Sequence, residues 1–226
     1  MKKISSFVLC ALLMSCSFNK NEKSSASDTT AKEDMNITKQ EVSEEGFNKE
    51  LTYPGSKISF MVSTKGDSLI IQPSGLSVSN ETLYHDITGY TIVNAEIGDL
   101  NVDSYPEVFI YLTSDGSGSY GKLIGYSVNN GKSVSQVYLP EISENNEVNK
   151  GYMGHDEMAI VENTFCQRFP VYKEGDSNAN PTGGTRQIQY KLVDGESGRI
   201  LKIDKVVEFY PRSQRRERRE EKNKNG

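Results

Sequence analysis

The chain holds only two histidines, His85 and His155, and they lie too far apart in sequence to be read as a local ligand pair. Neither stands beside a second His or Cys at metal-ligand spacing, so neither reads as part of a zinc site. A serine hydrolase would want its nucleophile on a Gly-x-Ser-x-Gly elbow that opens a helix, and no such elbow is present. His155, in Gly154-His155-Asp156-Glu157, reads instead as a residue that caps a turn or hydrogen-bonds backbone. Walker loops and dinucleotide fingerprints are missing as well. These motifs point away from an enzyme and call for no cofactor.

Asp99, Asn101, Asp103 and Glu107 place side-chain oxygens at alternating positions, as calcium loops do. The glycine that such loops carry at the sixth position is absent, and so is the bidentate glutamate at the twelfth. Asp and Asn also build turns through their own side-chain hydrogen bonds. The segment therefore reads as a tight turn leading to Pro106, with Asp99, Asn101 and Asp103 kept as a weak metal candidate. A different chemistry is offered by Ser114-Asp115-Gly116-Ser117-Gly118-Ser119-Tyr120-Gly121, between the apolar runs Val108–Leu112 and Leu123-Ile124. Its glycines and serines make a slim loop that can approach another backbone closely. Tyr120 adds a rigid amphipathic surface of the kind that dominates binding hot spots. On composition alone this is also what an ordinary hairpin loop looks like.

The elements that carry these loops read as strands. Runs rich in Val, Ile, Tyr and Phe recur between Gly, Asn, Asp, Ser and Pro punctuation. They predict strands near Lys57–Val62, Leu69–Gln72, Tyr90–Ile97, Glu107–Thr113, Lys122–Val128, Ser133–Tyr138, Met158–Val161, Phe165–Tyr172, Arg186–Val193 and Ile200–Phe209. Asn129-Asn130-Gly131-Lys132 separates two of them and predicts a hairpin, because Asn and Gly both tolerate positive φ. The spacing leaves no room for crossover helices. The expected class is all-β, an antiparallel β-sandwich or flattened barrel of about eight to ten strands.

The two ends differ from the middle. Lys2 and Lys3 precede a mostly apolar stretch, Ile4 to Met14, too short to span a bilayer. It reads as a signal peptide covering residues 1–15. Leu13-Met14-Ser15-Cys16 resembles a bacterial lipobox, which makes Cys16 the expected lipidation site and the membrane a partner through that lipid. Cys10 would leave with the signal. Cys166 then has no disulfide partner and reads as a small buried apolar residue. Residues 16–56 are polar and read as a flexible tether, with a turn or two of helix allowed between Ile37 and Phe47. Ser17-Phe18-Asn19-Lys20 lacks an immediate Asp, which favours the outer membrane, facing periplasm or surface. Residues 57–210 form the expected β domain. They carry twelve Lys or Arg against twenty Asp or Glu, a formal −8 that favours a cationic partner by steering. Residues 211–226 are a basic tail containing Arg212, Arg215, Arg216, Arg218, Arg219, Lys222 and Lys224. It reads as a solvated segment or a contact for anionic lipid or glycan. No aromatic residues interleave it, and nucleic acid is not an expected partner.

Several blocks resemble, in order, the periplasmic inhibitors of invertebrate-type (I-type) lysozyme. They include Gly98-Asp99-Leu100-Asn101-Val102-Asp103, Pro106-Glu107-Val108, Ser117-Gly118-Ser119-Tyr120-Gly121 and Tyr126-Ser127-Val128-Asn129-Asn130-Gly131. Further on come Lys150-Gly151-Tyr152-Met153-Gly154-His155-Asp156-Glu157, Arg168-Phe169-Pro170-Val171-Tyr172 and Gly183-Gly184-Thr185-Arg186-Gln187. The resemblance spans roughly Tyr90 to Asp204; the tether and tail lie outside it. It implies a non-catalytic β-sandwich that blocks an I-type lysozyme by inserting a Ser-Gly-x-x-Tyr loop into the active-site cleft. That loop maps to Ser117, Gly118, Ser119 and Tyr120, with Gly118 supplying narrowness and Ser117 and Tyr120 supplying contacts. A second contact loop would be Asp176, Ser177 and Asn178, for which a purely structural role is an equal reading. Arg168, Tyr172 and Arg186 flank it and read as structural. Homodimerisation is compatible with the resemblance. The rival expectation is a non-catalytic envelope module that binds glycan or calcium, and a third is a hydrolase.

Overall fold

The computed structural model describes residues 46–210. Twelve strands run in order: β1 (Asn48–Thr52), β2 (Ser59–Lys65), β3 (Ser68–Ser74), β4 (Leu83–Asp86), β5 (Tyr90–Gly98) and β6 (Glu107–Ser114), then β7 (Gly121–Asn129), β8 (Ser133–Tyr138), β9 (Glu157–Val161), β10 (Thr164–Pro170), β11 (Thr185–Asp194) and β12 (Arg199–Phe209). The only helical turn among the described residues is a short 3-10 segment, Ile142–Glu144, and no helix there is long and apolar enough to cross a membrane. The all-β expectation is met, and each of the ten expected strands has a counterpart.

The strands form two sheets, β1-β2-β3-β4 and β5-β6-β7-β8-β12-β11-β10-β9. Every pairing is antiparallel except β8 with β12, which run parallel over Arg199↔Val137 and Ile200↔Tyr138. The β9–β11 meander brings the chain back to β8 for that pairing, so no crossover helix is needed. The eight-stranded sheet curls until its edges nearly meet. Glu96 of β5 bridges them: its Oε2 accepts the Ile160 N–H of β9 at 2.8 Å and the Tyr111 hydroxyl at 2.6 Å. A β-sheet that closes in this way leaves little free edge for another chain.

Strand β6 explains how two sheets make one body. Its core residues are buried on both faces. Val108, Ile110 and Leu112 pack with Phe60, Val62, Leu69 and Ile71 of the smaller sheet. Phe109 and Tyr111 point the other way, into a second core with Phe165, Phe169, Ile188, Tyr190 and Leu201. Burial alternates along β3 and β11, as expected where one face meets a core and the other meets water. Gly125 sits opposite Phe109 in register, and a Cβ there would come within 2.6 Å of the Phe109 ring. The ring therefore lies across a strand that has no side chain in its way. Cys166 is free and buried, consistent with its apolar reading, and burial pushes its thiol pKa up.

Two strands were not foreseen. The fold begins before residue 57: β1 pairs with β2 from Asn48↔Ser63 to Thr52↔Ser59, Leu51 enters the core, and Lys49 Nζ donates to Asn94 Oδ1 and Ala95 O. The expected tether therefore ends earlier than 56, because one buried leucine and a ladder of backbone bonds suffice to dock a polar strand. On β4, His85 Nε2 lies 2.7 Å from the Tyr126 hydroxyl and so joins the two sheets. Burial, and then the Lys122 charge, lowers its pKa. The expected signal peptide, Cys16, most of the tether and the basic tail lie outside the described residues. The Asn-Gly hairpin forms as expected, with Asn130 at φ 51° and Gly131 at φ 67°.

Glu107 is fully buried, its Oε2 accepting from Leu100 N and its Oε1 from Ser127 Oγ. Desolvation outweighs those bonds and raises its pKa from 4.5 to about 7. Below pH 4.5 both the folded and unfolded chains hold this proton. Between 4.5 and 7 only the folded chain keeps it, so stability falls as pH rises through that window, by on the order of 3 kcal/mol. Glu107→Gln can still accept from Leu100 N and can donate its amide to Ser127 Oγ, without a charge. Urea unfolding at pH 5 and pH 8 should show a flatter profile for the variant and a gain in stability at pH 8.

Candidate functional site

The β6–β7 hairpin presents the Ser117–Tyr120 loop at its tip, and backbone bonds set its shape. Ser114 N donates to Tyr120 O, Tyr120 N to Ser114 Oγ, and Ser119 N to Gly116 O. Asp115 is tied at the other side, where its N–H meets Gly89 O and its Oδ1 accepts from Thr91 Oγ1. Ser119 takes a positive φ of 44° to complete the turn. Ser117 and Tyr120 are exposed, Tyr120 by 47%. Neither hydroxyl has a hydrogen-bond partner among the described residues.

Gly118 has a more specific role than a narrow profile. The Tyr120 ring folds back over it, so that a Cβ at 118 would lie 2.4 Å from Tyr120 Cε2. The ring is then held edge-to-face against Tyr152, with centroids 5.7 Å apart, and Tyr152 packs in the same way on Phe169 at 4.7 Å. An exposed tyrosine is thereby connected through aromatic contacts to the core.

The segment before β9 fixes the loop from below. His155 N donates to Gly118 O at 2.8 Å and to Ser119 O at 3.1 Å through its main chain, while its imidazole meets the Asn178 side chain rather than the backbone it was expected to bond. Asp156 Oδ2 accepts from Gly121 N at 2.8 Å and from the Tyr152 hydroxyl at 2.7 Å. Its Oδ1 accepts from Gln167 Nε2, whose own Oε1 accepts from the buried Tyr190 hydroxyl. Burial raises the Asp156 pKa, and these donors offset part of the rise. Gly154 makes the approach possible: it has φ +83°, and a Cβ there would fall 2.1 Å from Gly118 O. Gly154→Ala should therefore cost about 2–3 kcal/mol by urea unfolding, from backbone strain and displacement of the loop. The displaced loop should also bind its target less tightly.

The second loop is brought to the first. Asn178 Nδ2 donates to Ser117 O at 2.8 Å, and Asn178 Oδ1 lies 3.0 Å from His155 Nε2. Tyr172, itself buried, donates its hydroxyl to Asn178 O. Asp176 organises the rest of that loop by accepting from Lys173 N, Thr182 N and Thr182 Oγ1, and the backbone bonds lower its pKa. Ser177 is exposed beside them and receives a bond from Asn180 Nδ2. Asn178 thus supports the first loop, while Ser177 faces outward. Arg186 is structural: it pairs with Glu208 at 2.6 Å and donates to Val148 O and Lys150 O. Arg168 faces Glu157 at 3.8 Å.

Oxygens of the Asp99–Asp103 segment are committed to a turn. Asp99 accepts from Asp103 N, Ser104 N and the Tyr53 hydroxyl; Asp103 Oδ1 accepts from Tyr105 N, and Asn101 Nδ2 donates to Asp103 Oδ2. Val102 and Ser104 take positive φ within it. No group of metal-ligating side chains occurs among the described residues. Sequence reasoning missed Asp156, Tyr152 and Gln167 as supports of the loop; the pair Gly151 and Gly154 around Tyr152 was the available signal of a close backbone approach. Compared with known proteins, the chain matches no family model, no curated protein and no solved structure.

Proposed function

We propose that this protein is a non-catalytic inhibitor of an I-type lysozyme, anchored in the cell envelope by lipid on Cys16. The observation that carries the reading is the exposed pair Ser117 and Tyr120, whose hydroxyls have no partner among the described residues, on a loop pinned through the carbonyls of Ser117, Gly118, Ser119 and Tyr120 and the Tyr120 N–H. A protein that inserts a loop into a cleft avoids the cost of ordering it when the loop is already held in place. Lysozymes work with a pair of carboxyl groups. The Ser117 and Tyr120 hydroxyls can each hydrogen-bond a carboxyl, while the Tyr120 ring occupies space meant for sugar. The acidic body supports a cationic partner, with association slowing as salt rises. Residues 1–16 support export and lipidation, with the outer membrane as the proposed address. A second copy of the chain remains compatible with the reading and is not required by it.

The kinetic form of inhibition tests the proposal. Increasing amounts of the full chain should raise the apparent KM of an I-type lysozyme on a soluble cell-wall substrate and leave kcat unchanged. A fall in kcat at constant KM would place the contact away from the substrate cleft and overturn the reading.

A further inference from the structure

Beside the Ser117–Tyr120 loop lies a cleft of about 600 Å³, well within the range of small-ligand sites. Tyr120 and Tyr152 form one wall, and Tyr152 is immobilised by its bond to Asp156. Tyr90 forms part of the lining, with the Lys122 ammonium 4.7 Å above its ring. Glu141, Ser143 and Asn149 supply the polar remainder. Glu141 is exposed, makes no capping bond to the helical turn that follows it, and lies near enough for its charge to help raise the Tyr152 pKa. Lock-and-key inhibition of an enzyme needs the loop; it does not by itself require this cleft.

We infer that the cleft between Tyr152 and Lys122 is a binding site for a short neutral glycan, the class represented by N-acetylated hexosamine oligomers. Three features favour that class. The tyrosine rings offer flat apolar surfaces that match the CH faces of a pyranose. Glu141 can accept, and Lys122 can donate, the hydrogen bonds that sugar hydroxyls and acyl carbonyls require. One cation balanced by one carboxylate gives no net attraction for a phosphate group, and so many polar groups disfavour a lipid chain. The site would let the protein hold wall polymer itself, with Tyr120 shared between glycan and any protein that occupies the loop.

The test is titration of the full chain with tri-N-acetylchitotriose, followed by two-dimensional NMR. The expected result is saturable shifts centred on Tyr90, Lys122 and Tyr152, with a Kd of about 1 mM. Lys122→Ala and Glu141→Ala should each weaken binding by about tenfold, as loss of a charge-assisted hydrogen bond does. Both side chains are exposed, and unchanged melting temperatures will verify that the variants fold. Absence of saturation, or affinity equal to the parent's in both variants, overturns the inference. The titration contains no lysozyme, so its outcome is separate from that of the inhibitor reading.

Discussion

Replacing Ser117 and Tyr120 together by alanine should weaken inhibition of the target lysozyme by about 100-fold or more, since buried hot-spot residues contribute about 2 kcal/mol or more apiece. The melting temperature should fall by no more than about 4 °C, the effect of roughly 1 kcal/mol in a domain of this size. The separation of the two effects follows from the geometry. Ser117 holds the second loop through its backbone carbonyl, which alanine retains. Tyr120 likewise pairs with Ser114 through its backbone, so the double variant loses the ring's contact with Tyr152 and its packing over Gly118 and Gly154 but no backbone bond. An edge-to-face pair of that kind contributes about 0.5–1.5 kcal/mol beyond the area it buries. Inhibition assays and thermal melts on the same samples will show whether function and stability separate. A large loss of stability would mean the loop serves the fold.

The opposite pattern is expected for Asp156→Ala. Asp156 is placed under the loop and serves the Gly121 N–H, the Tyr152 hydroxyl and Gln167 Nε2 at once. Deleting the carboxyl leaves three neutral donors to find new partners, and at about 1–3 kcal/mol for each one left unpaired the loss should be about 3–5 kcal/mol. For a domain of this length the melting temperature should drop by roughly 10 °C. Inhibition should fall as well, because Gly121 and Tyr152 hold the base and the ring support of Tyr120. Asp156→Asn should lie between, since an amide keeps one acceptor but opposes a donor to a donor. Chemical denaturation of the three proteins in parallel provides the ranking. If Asp156→Ala melts like the parent, the support assigned to Asp156 is wrong.

Much of this arrangement was legible in the residues. Ten strands announced themselves by β-branched and aromatic runs between turn residues, and Asn130-Gly131 announced a hairpin. The missed strands carry little such signal. Asn48–Thr52 has one apolar residue, and Leu83–Asp86 is four residues long; both gain their structure from partners across the sheet. Strand β6 was visible as a strand, but its placement between two cores depends on tertiary packing that no local pattern encodes. The same holds for the loop. Its slimness was readable, whereas the clamp from Gly154, His155 and Asp156 joins segments more than thirty residues apart in sequence. The Asp99–Asp103 alternation read two ways because calcium loops and Asx turns use the same side-chain oxygens. Here those oxygens receive backbone N–H bonds.

The central claim is that a pre-set Ser117–Tyr120 loop blocks a lysozyme. Its most direct test is titration of the full chain against I-type, chicken-type and goose-type lysozymes in one lytic assay. The account predicts saturable inhibition of the I-type enzyme, approaching one inhibitor per active site, with weaker or no effect on the other two. Full activity of all three enzymes at saturating protein would contradict it.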